Sequence, residues 1–315
     1  MKKVILGFVL LIVIVGAYLF WTDFSLIKKL VGYNFLDLKE SEAVPSGGDL
    51  SFLNVSEGFD ISIIASGLEN PRVVLFDPKG RMLISETNVG RVSIFDFGVN
   101  DEFENKHTLI DGLKLPHGLD FYQDSKTKKT YLYIAETNQV NRYPYDINSG
   151  KLVSNTGENI ATLPAEGRHF TRTIAFGPNF REKPILNLAT INPIKLYISV
   201  GSSCDVCEED SWKRASILES DAKGSYTAEF AGGLRNSVFF TFHPITGEIW
   251  ATDMGRDNLG DNLPPDEINI IKVAGPEHKF GARRYGWPFC YGDKIKDKTF
   301  KPDKWERVDI ADNCS

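Results

Sequence analysis

Val73-Val74-Leu75-Phe76-Asp77, Met82-Leu83-Ile84-Ser85-Glu86 and Val92-Ser93-Ile94-Phe95-Asp96 form the stretch on which the fold turns. They are three short β-branched and aromatic runs, and Pro78-Lys79-Gly80 separates the first two. Such runs, punctuated by turn residues, predict an antiparallel meander. Moving outward, the pattern returns in Gly118 to Tyr122, Tyr131 to Glu136 and Val140 to Asp146. It returns again in Thr173 to Phe176 with Lys195 to Val200, and in Val238 to Pro244 with Glu248 to Asp253. Glu86-Thr87-Asn88 recurs as Glu136-Thr137-Asn138 at the end of the second strand of its repeat. With Phe76, Phe121, Phe176 and Phe242 taken as equivalent, the spacings are 45, 55 and 66 residues. Periods of about 40–50 residues built from several strands predict an all-β propeller of antiparallel four-stranded blades, with the excess length in loops. A β-sandwich with accidental periodicity is the competing architecture.

The chain of 315 residues is 42% apolar, 25% charged and 12% aromatic, which excludes a disordered chain and a polytopic membrane protein. Lys and Arg number 36 against 42 Asp and Glu, a formal charge of -6, so nothing favours a nucleic-acid partner. Residues 1–3 (Met1, Lys2, Lys3) precede an uncharged run, Val4 to Trp21. As a helix rising about 1.5 Å per residue, that run is long enough to cross a bilayer core. Residues 4–21 are read as a transmembrane anchor behind a cytoplasmic tip, a cleaved signal peptide being the rival reading. The leading lysines place the rest of the chain outside the cytoplasm, periplasmic or at the cell surface. Residues 22–49 read as a linker, with the folded domain over 50–315.

Propellers carry their sites on loops at one end of the channel. Arg72, His117, His169, Arg172, Arg235, Asn236 and the acidic stretch from Asp253 to Glu267 lie before the first strand of a repeat or after its second. His169 suits a general base, or else a turn histidine bonded to a backbone carbonyl. Arg235 beside Asn236 suits a ligand bearing carboxylates and carbonyls, a surface salt bridge being the plainer reading. Arg72, His117 and Arg172 stand as further ligand-binding candidates. The glycine-bearing acidic run Asp253 to Asp261 suits Ca²⁺, or a solvated loop. The four cysteines are read as two local disulfides, Cys204 with Cys207 and Cys290 with Cys314.

Six ordered segments gather these residues. They are Asn70-Pro71-Arg72 through Glu86, His169-Phe170-Thr171-Arg172-Thr173, Val200 to Cys207, Gly233-Leu234-Arg235-Asn236, Pro265-Asp266-Glu267-Ile268-Asn269 and Tyr285-Gly286-Trp287-Pro288-Phe289-Cys290. From about residue 57 onward the chain closely resembles the glucose/sorbosone dehydrogenases, in particular the pyrroloquinoline quinone (PQQ)-dependent pyranose and L-sorbosone dehydrogenase group. The resemblance implies a six-bladed propeller that holds PQQ and calcium and oxidises the anomeric hydroxyl of a sugar, passing electrons to an acceptor such as a quinone or cytochrome. It implies His169 as base, Arg235, Asn236 and Arg72 as PQQ contacts, and the carbonyls of Gly255 and Arg256 as calcium ligands.

The relatives continue beyond the Gly-Trp-Pro motif, so the propeller is expected to be C-terminally incomplete here. Four repeats are recognisable, with part of a fifth expected from Glu267 onward. A non-catalytic extracytoplasmic binding propeller and a Ca²⁺-dependent lactonase remain as alternatives.

Overall fold

The computed structural model describes residues 50–97, 103–181, 194–274 and 282–300. The chain falls into two compact units, Met1–Ser66 and Gly67–Ser315. In the first unit the described residues form turns, with Leu53 N donating to Leu50 O at 2.9 Å and Phe59 N to Ser56 O at 3.1 Å. The expected anchor at 4–21 and linker at 22–49 lie outside the described residues. Among those described, no helix is long and apolar enough to cross a membrane.

The second unit is a series of antiparallel blades. Blade 1 holds β1 (Pro71–Phe76), β2 (Met82–Glu86), β3 (Arg91–Phe97) and β4 (Phe103–Ile110) in sequential order. Blade 2 holds β5 (Leu119–Gln123), β6 (Thr130–Glu136) and β7 (Gln139–Asp146), with β8 (Lys151–Leu152) and β9 (Glu158–Thr162) both paired to β7. Blade 3 holds β10 (Ile174–Pro178), β11 (Ile194–Val200), β12 (Ser216–Ser220) and β13 (Thr227–Gly232). Blade 4 has β14 (Phe240–Phe242), β15 (Ile249–Asp253) and β16 (Glu267–Ile271). A short strand, β17 (Arg283–Arg284), adds in parallel to β13, and β18 (Cys290–Tyr291) pairs with β19 (Ile295–Lys296). The four equivalent phenylalanines occupy matching places: Phe76 faces Met82, Phe121 faces Leu132, Phe176 faces Leu196 and Phe242 faces Ile249 across the first strand pair.

The expected start of a fifth blade at Glu267 is corrected. Glu267 to Ile271 pairs residue by residue with Asp253 to Ile249, so this run is the third strand of blade 4. The thirteen-residue connection from Met254 to Asp266, with Gly255, Gly260, Pro264 and Pro265, disguised one hairpin as a boundary between repeats.

Neighbouring blades clasp each other through alternate residues of their second strands. On β6, Leu132 and Ile134 pack with Leu83 and Ile94 of blade 1, while Tyr133 and Ala135 pack with Leu196 and Ile198 of blade 3. On β11, Tyr197 turns the other way, into a cluster with Phe230, Ile249 and Ala251. A strand buried on both faces reads as a continuous apolar run rather than an alternating one. That is why the second strands of blades 1 to 3 are the clearest in the sequence. Each fully buried large side chain contributes roughly 1.5–3 kcal/mol, and Tyr133, Leu132, Tyr197 and Ile198 all reach that limit.

The repeated glutamate has a structural role. Glu86 accepts from Glu69 N at 2.7 Å, from Arg91 Nε at 2.8 Å and from Ser93 Oγ at 2.5 Å, and its counterpart Glu136 accepts from Lys114 N at 2.6 Å. These side chains tie the loop before each first strand to the end of the second, fixing the end of the blade where the candidate residues stand.

Candidate active site

Because the first and second strands are antiparallel, the start of one and the end of the other share an edge. Pro71 faces Glu86 in this way, beside Arg72. The same rule puts the loop before β10, the loop after β11, the loop after β13 and the loop after β15 at one end of blades 3 and 4. Main-chain bonds join them: Arg168 N to Ser203 O at 2.7 Å, Ser202 N to Arg235 O at 2.8 Å and Met254 N to Asn236 O at 3.2 Å.

His169 lies in the loop before β10, half-buried. Its Nδ1 is 3.0 Å from both the carbonyl and the Oγ of Ser202. A carbonyl can only accept, and the Ser202 hydroxyl donates to Cys204 O at 2.6 Å, so the geometry assigns the proton to Nδ1. Nε2 then carries a lone pair and makes no hydrogen bond among the described residues. Burial, and after it the Arg235 charge, push the His169 pKa down to about 4. The ring is therefore neutral at ordinary pH.

Two buried arginines brace this loop from behind. Arg172 is fully buried and donates to His169 O at 3.0 Å, Thr171 O at 2.7 Å and Pro164 O at 2.9 Å. Arg214 adds a bond to His169 O at 3.3 Å and another to Gly201 O at 3.3 Å. Burial, with Arg214 beside it, lowers the Arg172 pKa to about 9. Gly201 lets the walls close: a Cβ there would overlap Asn236 Oδ1 and lie 2.7 Å from His169 Cβ. His169 and Asn236 thus flank one glycine.

Arg235 and Asn236 are set by the end of β15. The Asp253 carboxylate accepts from Arg235 N at 2.9 Å and from Asn236 N at 2.6 Å. Burial raises the Asp253 pKa to about 7. The Arg235 guanidinium donates through Nε to Asp205 O at 2.9 Å, through Nη2 to Asp205 Oδ1 at 2.7 Å and through Nη1 to Met254 O at 3.2 Å. Asp205 sits inside the Cys204–Cys207 disulfide, which is formed as expected. Cys290 is also disulfide-bonded, while Cys314 lies outside the described residues. Arg256 Nη1 bonds Asp297 at 2.6 Å and Thr299 Oγ1 at 2.8 Å.

Arg72 and His117 stand at the equivalent positions of blades 1 and 2. Arg72 is exposed and makes no hydrogen bond or ion pair among the described residues. His117 is fully buried, its ring centroid 5.5 Å from that of Phe239, and neither ring nitrogen has a hydrogen-bond partner among the described residues. Burial, then the Arg72 charge, hold its pKa down to about 4. A cleft lined by Arg235, Gly255, Arg256, Tyr285 and Trp287 opens against the blade 3 and blade 4 loops; His169 is not among its walls.

Sequence reasoning missed Asp205, Arg168, Gly201 and Arg214. The first has a usable signal, a charged residue enclosed by two cysteines.

The donor set can be tested against the implied groups. Arg235 uses three of its five N–H groups on the chain and keeps two, His169 offers an acceptor, and the buried Arg256 Nε has no hydrogen-bond partner. This suits a ligand with several carboxylates and carbonyls. The carbonyls of Gly255 and Arg256 accept no hydrogen bond among the described residues, which leaves both lone pairs of each open to a hard cation.

A family profile described as TrAA12-like matches residues 53–309. The chain belongs to the TrAA12-like family. It is 30% identical over 257 residues to an uncharacterized protein of Borreliella burgdorferi, covering 79% of this chain and 60% of that one. It is 27% identical over 260 residues to the pyrroloquinoline quinone-dependent sugar dehydrogenase of Hypocrea jecorina, covering 75% of this chain and 56% of that enzyme. The solved PQQ domain of Coprinopsis cinerea pyranose dehydrogenase, in its holo form, superposes with a TM-score of 0.61 at 20% identity, covering 78% of this chain and 59% of that domain. These similarities establish a TrAA12-like β-propeller. The chain spans 60% and 56% of the length of these two curated relatives, respectively.

Proposed function

We propose that this TrAA12-like chain takes part in PQQ-dependent oxidation of a pyranose or other aldose at the anomeric carbon, outside the cytoplasm. The observation that carries the reading is the contact of His169 Nδ1 with the Ser202 carbonyl: a proton on Nδ1 leaves Nε2 as a proton acceptor on a ring that stays neutral. PQQ, when bound with calcium, supplies the two-electron acceptor and a Lewis acid. Arg235, Asn236 and Arg72 would hold its carboxylates and carbonyls, and His117 and Arg172 support that side of the channel. The Gly255 and Arg256 carbonyls would hold calcium. His169 Nε2 takes the proton of the sugar hydroxyl as the carbon is oxidised, and the bonds from Arg172 and Arg214 to the His169 carbonyl keep the ring in place. Electrons would leave to a quinone or cytochrome, with residues 4–21 as the membrane anchor.

The test is a titration of the purified chain with PQQ and Ca²⁺, followed by absorbance, and then dye reduction with a panel of aldoses. Saturable uptake, with sugar-dependent reduction that falls about 10²–10⁴-fold in His169→Ala, supports the reading. A folded chain that takes up PQQ yet reduces no dye would leave a binding propeller in its place, and one that takes up none rejects the assignment.

A further inference from the structure

We propose that Asp205, enclosed in the Cys204–Cys207 loop, is the positioning residue of this site, holding the Arg235 guanidinium in the orientation that meets the cofactor. The inference rests on the PQQ reading and extends it to a residue outside the proposed contacts.

Asp205 grips Arg235 along one edge, with its main-chain oxygen on Nε at 2.9 Å and its carboxylate on Nη2 at 2.7 Å. Two bonds to one edge of a planar fork fix rotation about the long axis of the side chain as well as its position. The Arg235 side chain is only 3% exposed, so loss of one partner leaves a donor without water to replace it. The same carboxylate accepts from Asp257 N at 2.9 Å and lies 3.5 Å from Arg168 Nη1 and 3.8 Å from Arg256 Nε. Trp287 Nε1, on the wall of the cleft, reaches the Asp205 carbonyl at 3.4 Å. One residue therefore joins the loops of blades 3 and 4 at their shared end.

Its own placement is fixed from both sides. The disulfide closes the loop over residues 204–207, and Glu209 Oε1 accepts from Ser203 N at 2.6 Å. Ser202, which holds His169 Nδ1, donates to Cys204 O. The proposed base and the proposed cofactor arginine are thereby referred to one short loop, through Ser202 on one side and Asp205 on the other. A rim acid forming an ordinary ion pair would not carry both a main-chain and a side-chain grip on a buried guanidinium.

A double-mutant cycle on the full 315-residue chain tests this, with Asp205→Asn, Arg235→Met and the double variant read in two ways. The first readout is PQQ affinity in the presence of Ca²⁺; the second is the urea midpoint of the chain without cofactor. Asp205→Asn is expected to weaken PQQ binding at least tenfold where Arg235 is present and less than about threefold where it is absent. Its effect on the urea midpoint should shrink in the same background, because the two residues act as one unit. Asp221→Asn serves as a control, since Asp221 bonds Lys223 N and Ser225 N in a remote turn. It should lower the midpoint and leave PQQ affinity alone. Equal losses in both Arg235 backgrounds, or undiminished PQQ affinity in Asp205→Asn, overturn the proposal. If the wild-type chain takes up no PQQ, the functional reading fails by itself, and the urea cycle still decides: coupling supports the grip of Asp205 on Arg235, and additivity overturns it.

Discussion

The imidazole of His169 is subject to five influences, and three of them act on its proton in the same direction. Burial disfavours the charged ring, the Arg235 and Arg168 charges add repulsion, and the bond to Ser202 and the Asp205 carboxylate oppose them only in part, leaving a pKa of about 4. An ordinary histidine titrates near 6.5. A base with a depressed pKa remains available over a wide acid range, so in the proposed oxidation the limb of kcat/KM that belongs to His169 should fall as pH drops through 4, separate from any step near 7 due to the Asp253 carboxylate that holds Arg235 N and Asn236 N. An acid limb near 6.5 that persists in Asp253→Asn would remove His169 from the base role. The sign for stability follows from proton counts. Between pH 6.5 and 4 the unfolded chain binds the proton that the folded one refuses, so stability falls as pH is lowered through that window and levels off below it. Glu86 adds an acid loss of the usual carboxylate kind. Burial alone would raise it, but bonds from Arg91, Ser93 and Glu69 N hold it at about 2, and the stability they give is lost as pH falls from about 4.5 towards 2.

At the scale of strands, blade packing depends on close approaches that only glycine permits. Gly177 on β10 lies against the ring of Phe242 on β14; a Cβ there would overlap the ring, with Cε2 at 2.7 Å. The ring has little room to retreat, since Tyr197 and Phe240 pack against it at centroid distances of 5.8 Å and 6.2 Å. Gly177→Ala should cost about 1–3 kcal/mol by overpacking and lower the melting temperature by several degrees; an unchanged melting curve would mean that blades 3 and 4 are not clasped in this way. Among the strands near this contact, β11 was legible in the sequence because it is buried on both faces over most of its length, whereas β15 is buried on one face only. β17 was not legible: it is Arg283-Arg284, a dipeptide with no strand pattern, paired to β13 in parallel and held by Arg284 Nη1 to Glu229 at 2.5 Å. The site divides along the same line. His169, Arg235 and Asn236 could be found because they recur at one place in each repeat. Asp205 is marked in the sequence only by its place between two cysteines, and Gly201 and Arg214 by nothing, because what they do depends on loops from different blades meeting, and no local spacing encodes that.

Across the propeller unit, the faces of the four blades are not equally covered. On β15, Ile249 and Ala251 point into the cluster shared with blade 3, while Trp250 between them is exposed. Trp250 faces Ile270 of β16 across the strand pair, and Ile268 lies two residues along the same face. Ile268 is 71% exposed and Ile270 36%. β1 leaves Val74 and Phe76 open in the same way, each at 54%. Blades 2 and 3 have no such stripe on their second strands, since a neighbour covers each face. Contiguous apolar surface on a sheet draws further protein onto it, and a formal charge of -6 resists this weakly, because exposed charges are screened beyond about 8 Å at physiological salt. The chain as it stands should therefore self-associate through this face as concentration rises. Paired substitutions Ile268→Lys and Ile270→Glu place opposite charges on the stripe without touching Ile249, Ala251 or Ile271, which hold the blade to its neighbour. Light scattering should show the association suppressed while the melting temperature stays within about 2 °C. Association that persists in the double variant would assign it to another surface, with the stripe on β1 the next to be charged.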